Sequence, residues 1–491
     1  MAEAKADPPA LGLGTKLAYG IGQAAEGLKN SAFGSLLLFF YVQVLGVPPG
    51  VAGSLLLLAL VFDAVTDPLV GSISDSLHSR WGRRHPFMYA ATIPMAVTFY
   101  FVFHPPAGLG PSGLAAWLLT WTVLARGAMT LYHVPHLSLG AELSFDYAER
   151  ARIVAYRVVG GFMGAAAFFL ASARVFFQPS AVFPDGHLDP AAYPPMALTM
   201  GIAMGLLIFA SAAGTHHRIP FLIRPRHAQP FSVRRLLDEL REAAANRNFR
   251  FFALAILAFL VARGVSDGLG LFMGTYFWEL ETRHMFQITS LALVGVFLGA
   301  PVWAGLVRWY EKRTIFLGGC VSLSLFTSLA PTLKLVGWFP ANDSPWFLPL
   351  IYGVTFVTAM GVSGAVAVPG AMLADIADEH ELTTGRRQEG IFFGAFSFAA
   401  KASTGVGGWL AGLALAAIRF PQPESGGASV PPGSIDEGTL LALALIAGPA
   451  LGVFSLVGIW LASHYALDRR RHGEIVTELR SRGSGTVGGG R

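Results

Sequence analysis

Runs of about 20 apolar residues recur along nearly the whole 491-residue chain, separated by short breaks rich in Pro, Gly or charge. Each is long enough to cross the hydrocarbon core of a bilayer. Splitting the chain at those breaks predicts twelve spans, at 17–46, 51–75, 87–104, 113–141, 151–177, 194–214, 249–279, 285–308, 314–336, 345–374, 390–417 and 438–465. Backbone in lipid must satisfy its own polar groups, so such runs are read as helices. Composition agrees, with 53% hydrophobic and only 13% charged residues against roughly 25% charged in an average soluble protein. The predicted class is an all-α integral membrane protein with its twelve transmembrane helices in two six-helix bundles.

Lys and Arg select the orientation. The breaks at 46–50, 104–113 and 178–195 contain neither residue, whereas the alternate breaks carry Arg80, Arg83 and Arg84, then Arg308, Lys312 and Arg313, then Arg386 and Arg387. Both termini are therefore expected to be cytoplasmic, in a multi-pass protein of the cell membrane. The formal net charge of +5 is spread over these short loops without an aromatic-interleaved patch, which argues against nucleic acid as a partner. The single cysteine, Cys320, excludes an intramolecular disulfide framework. No apolar core with a cleavage site follows the first residues, so no removable signal peptide is expected.

A long basic loop with an amphipathic segment at 231–250 divides the spans six and six. The expected organisation is a tail at 1–16, one bundle at 17–214, a linker with an amphipathic helix at 215–248, a second bundle at 249–465, and a basic, Gly-rich tail at 466–491. GSISDSLHSRWGRR after the second span is faintly echoed by AGLVRWYEKRT after the eighth. Twelve spans in two halves are the layout of transporters built from repeats, whose sites lie between the halves.

Charges inside the spans single out candidate sites. In FDAVTDPLVG, Asp63 and Asp67 stand four residues apart, on one helix face. An Asp at a helix centre costs about 2.5 to 3.5 kcal/mol, so the pair needs compensation. Two carboxylates at this spacing suit a small cation held by hard oxygens, or a proton in its place. Pro68 frees a carbonyl one turn earlier in the same helix. Lys401, at least eleven residues from either end of its span, is a counter-charge for them if the two halves face each other. Glu26 and Lys29 are spaced to satisfy each other or to meet a substrate, and Arg263 and Asp267 carry the same ambiguity. His133 and His136 flank Pro135 and fit a cavity lining better than a metal site. Arg126 and Arg157, each more than a turn inside its span, are candidates to bind an anionic group or a carbonyl cluster.

These motifs, with RWGRRHP after span 2, MLADIADEHE before span 11 and KLAYGIG at the start of span 1, together resemble the glycoside-pentoside-hexuronide cation symporters of the major facilitator superfamily. The resemblance runs from Lys16 to about Tyr465. It implies alternating access with sodium, lithium or proton co-transport and no cofactor beyond the coupling cation. It assigns Asp63, Asp67 and Thr130 to the cation, gives Thr66 the position that influences which cation is accepted, and matches Lys401 to a lysine near that site. The substrate end departs from the family. A helix 1 aspartate aligns with Gly27, beside Glu26; a helix 4 aspartate is replaced by His133, and a tryptophan four residues later by Leu137. A helix 5 arginine has its counterpart in Arg157.

The leading expectation is a symporter of a glycoside or related sugar, monomeric, with a small-molecule substrate and the lipid bilayer as partners. The expected substrate contacts are Glu26, Lys29, His133, Arg157 and Arg126. The alternative substrate is a lysolipid-like or other anionic amphiphile, because the HVP variant also resembles sodium-dependent lysolipid carriers. Asp75, Arg80, Arg83 and Arg84, with Asp375, Asp378, Arg386 and Arg387, are read as gating networks. A channel or a membrane enzyme is a distant alternative. No nucleophile and base pair presents itself, and two unequal halves with one cation site argue for alternating access.

Overall fold

The computed structural model describes residues 11–144, 146–222, 233–385, 389–423 and 430–487, and among these every regular element is helical. The first part of the chain forms α1 (Leu13–Ala32), α2 (Pro49–Ser76), α3 (His85–Val102), α4 (Pro111–Glu142), α5 (Tyr147–Ala171) and α6 (Tyr193–His216). A short α7 (Val233–Ala245) precedes α8 (Arg247–Phe272), α9 (Thr282–Leu306), α10 (Lys312–Leu335), α11 (Phe347–Ala367) and α12 (Pro369–Thr384). The chain continues with α13 (Glu389–Ala417), α14 (Glu437–Leu445), α15 (Leu451–Ser463) and α16 (Arg469–Val487). Wider π-helical turns extend several of them, among them Phe33–Leu37 and Phe40–Val44 after α1.

Among the described residues, nine helical stretches are long and apolar enough to cross a membrane, α2, α4 and α8 included. Apolar side chains such as Met163, Leu206 and Val453 lie exposed along these helices, as a lipid-facing surface requires. The structure differs from the expected spans in two places. Within the expected run at 345–374 the regular helix is interrupted at Val368, which keeps right-handed helical angles, because Pro369 has no N–H to carry the hydrogen-bond ladder across. The expected tail at 466–491 contains a real helix, α16, which packs on α12. Ile475 is fully buried there and Leu479 packs beside it, an i, i+4 apolar pair in an otherwise charged segment.

The chain divides into two compact units, one built on α1 to α6 and one on α7 to α16. The short segments Glu281–Phe286 and Pro421–Val430 belong to the first. Within the first unit α1 packs on α5 and α6, α3 on α4 and α6, and α2 on α4. Within the second, α8 packs on α13 and α15, and α10 on α11 and α15. There α9 meets α11 where a Cβ on Gly295 would stand 2.7 Å from that of Ala359. The same set of pairings thus occurs twice, a structural repeat far clearer than the faint sequence echo.

Glycines set the closest crossing of the first unit. A Cβ on Gly160 would lie 1.9 Å from the carbonyl oxygen of Gly20, and one on Gly164 would lie 2.1 Å from that of Ala24. Only hydrogen fits at such distances, so α1 and α5 touch backbone to backbone, the packing that small residues permit in membranes.

The loop between α5 and α6 is pinned by His187, which is fully buried and lies 2.7 Å through Nδ1 from the Thr282 hydroxyl. Tyr193 donates 2.7 Å to the His187 carbonyl. Burial pushes the His187 imidazole down to about 3, so the folded protein holds it neutral. The unfolded chain takes up a proton below the ordinary imidazole range and the folded chain does not. Stability from this group is therefore complete above that range and falls as pH drops toward 3. Between pH 7 and 5 the loss is about 2 kcal/mol. A His187→Gln variant is expected to show a correspondingly flatter fall in Tm over that interval, measured on the detergent-purified protein.

Candidate functional site

On α2 the 3.6-residue period places Asp63 and Asp67 on one face. On α4, which packs against it, Arg126 and Thr130 have the same spacing. The two faces meet rung on rung. Arg126 Nη1 donates to Asp63 Oδ2 at 2.6 Å, and the Thr130 hydroxyl donates to Asp67 Oδ1 at 2.8 Å. Asp63 and Thr130 are buried, and Asp67 is half-buried. Asp63 Oδ1 is buried with no hydrogen-bond partner. The α2 helix runs through Pro68, which has no N–H for the Ala64 carbonyl one turn earlier. Carboxylates, a hydroxyl and a spare carbonyl form the oxygen-rich donor set that hard cations prefer. Among the described residues no group of three or more His, Cys, Asp or Glu could hold a metal ion.

Thr66 turns its hydroxyl back onto its own helix, donating 3.0 Å to the Phe62 carbonyl. Arg126, expected among the substrate contacts, forms an ion pair with Asp63. The matched i, i+4 spacing of Arg126 with Thr130 and of Asp63 with Asp67 is the signal that could have found this pairing in the sequence.

A second polar cluster joins α1, α4 and α6. Glu26 Oε2 lies 2.7 Å from His133 Nδ1 and also accepts from Gln23 Nε2. His136 is fully buried, 2.9 Å through Nε2 from the Tyr19 carbonyl, with its ring stacked on Tyr19 and Tyr132 at 4.3 and 5.0 Å. Arg157 is near enough for its charge to act on Tyr19 and His136. Lys29 is buried on α1. The structure explains Gly27, because a Cβ there would fall 2.2 Å from the Gly161 carbonyl oxygen. No carboxylate fits at 27, and the acid of α1 is Glu26, paired across to the histidine of α4. Gln23 Oε1 is buried nearby without a hydrogen bond.

At the other end of α2 a buried network joins Asp75, Arg83 and Arg84 to a residue the sequence reading missed, Glu142 on α4. Arg84 donates through Nε and Nη2 to Glu142 Oε1 at 3.1 and 2.9 Å, through Nη1 to Ser74 at 2.5 Å, and pairs with Asp75. Arg83 adds a contact of 2.8 Å to the same Glu142 oxygen. Arg80 stands outside this network, exposed and over the Trp81 ring. In the second unit Lys312 donates to both oxygens of Asp375 at 2.8 and 2.7 Å, and His472 of α16 lies 3.4 Å from Asp375 and 3.1 Å from Asp378. Arg386 and Arg387 lie outside the described residues. Lys401 sits near the middle of α13, in the second unit. Arg263 and Asp267 form a pair along α8, with Nε donating at 2.8 and 3.0 Å to the two carboxylate oxygens.

Residues 18–469 match the family model described as MFS/sugar transport protein. The chain is 26% identical to the glucuronide carrier protein homolog of Escherichia coli, with 95% of each chain covered. It is also 26% identical to sodium-dependent lysophosphatidylcholine symporter 1 of Mus musculus, covering 96% of this chain and 90% of the mouse protein. A crystal structure of the nucleoside transporter NupG superposes with a TM-score of 0.60 at 14% identity, over 93% of this chain and 99% of that one.

Proposed function

This chain belongs to the MFS/sugar transport protein family and has the major facilitator fold, and on that premise we propose that it is a cation-coupled symporter of a glycoside or related sugar, working by alternating access. The observation that carries the reading is the pair of facing rungs, Asp63 with Arg126 and Asp67 with Thr130. Two acids are held inside a span at a cost that a solely structural helix has no reason to bear. Sodium or a proton is the coupling ion. Asp63, Asp67 and Thr130 provide its oxygens, and Thr66 tunes the choice between ions.

The sugar seat in this proposal is the Glu26–His133 cluster with Arg157 and Lys29. A carboxylate accepts hydrogen bonds from sugar hydroxyls in charge-assisted contacts, and the orphaned Gln23 Oε1 nearby is a further partner for them. A glucuronide's carboxylate would add an arginine contact. Asp75, Arg83, Arg84 and Glu142 brace the first unit, and Asp375, Asp378, Lys312 and His472 brace the second. By the positive-inside rule the loops that carry Arg80, Arg83 and Arg84, and Arg308, Lys312 and Arg313, are the cytoplasmic ones in this proposal, with both termini on that side.

A second reading, transport of a lysolipid-like amphiphile, draws on the mouse relative named above and on the same arginine. Thermal shift of the purified protein with glycosides, glucuronides and lysolipids, each with sodium or choline chloride, separates the two. A ligand at about 100 times its Kd adds roughly 2.7 kcal/mol of stability. Stabilisation by a glycoside or glucuronide, enhanced by the coupling ion, is the expected result. Stabilisation by lysolipids alone would transfer the assignment to the second reading.

A further inference from the structure

Among the described residues, the Asp63–Arg126 pair makes fewer contacts than the pairs formed by Arg263 and Lys312. Arg263 reaches both oxygens of Asp267, and Lys312 reaches both oxygens of Asp375. Arg84 divides its donors among Glu142, Ser74 and Asp75. Arg126 instead touches Asp63 through one nitrogen on one oxygen, at 2.6 Å. Asp63 Oδ1 and Arg126 Nε are both buried without a hydrogen-bond partner. A guanidinium offers a planar fork that matches a carboxylate in two places, and a pair serving only stability would be expected to close it. This one is half made, between side chains that are 12% and 11% exposed.

The surroundings explain how it persists. The Arg126 guanidinium lies 5.8 Å from the Phe33 ring centroid, a cation–π contact with the π-helical turn after α1. That contact gives the charge a second place of attachment when it leaves Asp63. One turn along each helix, Asp67 accepts a hydrogen bond from the Thr130 hydroxyl.

We propose that Arg126 is a tethered stand-in for the coupling cation. It holds Asp63 when no ion is present, is displaced when the ion binds, and returns when the ion leaves. The inference rests on the symporter reading, because it presumes that Asp63 is part of the ion seat. Its physical logic is that a buried carboxylate stripped of its partner is strongly unfavourable. Exchanging one positive charge for another keeps Asp63 compensated throughout the cycle. Ion binding becomes a competition, so the apparent affinity equals the intrinsic one reduced by the fraction of time Asp63 is released. Arg126 is in this sense a positioning and specificity-determining residue. An ion that cannot outbid a guanidinium for Asp63 is not accepted, however abundant it is.

The test uses the full-length protein, purified in detergent, with thermal shift read against sodium or lithium chloride replaced by choline chloride at constant ionic strength. A pH titration is run in parallel, so that a proton is covered as the coupling ion. Arg126→Gln is expected to lower the half-saturating concentration of the stabilising ion at least about tenfold, the gain when a competitor occupies its seat about nine-tenths of the time. For a proton this is a midpoint moved at least about one pH unit upward. Arg126→Lys, which keeps the charge but loses the planar fork, is expected to fall between. Asp63→Asn is expected to remove the response in both backgrounds. An unchanged or weakened half-saturation in a folded Arg126→Gln protein overturns the inference and leaves the symporter reading standing. No ion response that Asp63→Asn can remove, in the unmodified chain, counts against the symporter reading itself. If Arg126→Gln does not fold, Arg126→Lys decides alone, with a shift of at least about threefold supporting the competition and none overturning it.

Discussion

Asp63→Asn and Asp67→Asn are each expected to cut cation-driven accumulation of substrate by at least about 100-fold, the equivalent of roughly 2.7 kcal/mol lost from ion binding. Exchange of substrate that needs no ion gradient is expected to survive in part. Asparagine keeps the shape and one oxygen but removes the charge. In a buried site a carboxylate attracts a monovalent ion far more strongly than an amide does, because little water is present to screen it. The two positions differ in what remains. Asp63→Asn leaves Arg126 buried without its ion-pair partner, so this variant is expected to lose stability as well. Asp67→Asn changes the acceptor for the Thr130 hydroxyl and keeps an oxygen that can still accept. Parallel measurement of gradient-driven uptake and of counterflow in proteoliposomes checks the separation. Equal loss of both activities in a folded Asp67→Asn protein would remove the ion role from that residue.

Arg84→Ala is expected to be among the most destabilising single changes in the first unit. Arg84 is buried and ties Asp75, Glu142 and Ser74 together, while Glu142 Oε2 is already without a partner. Removing one member of a buried pair leaves uncompensated charge and costs about 3 to 5 kcal/mol. Arg83 is close enough to Glu142, at 2.8 Å, to recover a fraction of this. The loss is therefore expected nearer the lower bound. In combination with Glu142→Gln it should be clearly less than additive, as coupling between contacting residues requires. Thermal unfolding of the two single variants and the double variant measures this. Full additivity would show that the cluster is not energetically one unit.

Much of this molecule was legible in its sequence because a bilayer imposes a length and a polarity on everything that crosses it. The runs at 51–75, 113–141 and 249–279 reappear in α2, α4 and α8 with its π-helical turn, displaced by a few residues at most. What was not legible depended on how helices meet. Arg126 was weighed as an arginine seeking an anionic ligand, yet its anion is Asp63, 63 residues earlier, brought near only by the packing of α2 on α4. Glu142 was missed for the same reason. It stands at the last position of α4, where an acid reads as a loop residue until Arg83 and Arg84 are seen to reach it. Gly27 read as a lost sugar ligand. In the fold it is a contact point of α1 on α5, and the adjacent Glu26 meets His133. The α16 helix lay in a segment of Arg and Gly whose composition resembles a tail, and only Ile475 and Leu479 disclosed its buried face.

The central claim is that cation and substrate move together through one protein. Sealed proteoliposomes loaded with the identified substrate, and bathed in substrate-free medium with equal cation concentrations on both sides, test it most directly when cation flux is followed with a fluorescent indicator. Substrate efflux is predicted to drag the coupling ion out with it in fixed proportion, and Asp67→Asn is predicted to abolish the ion movement. Substrate efflux with no accompanying movement of sodium, lithium or protons would contradict the account.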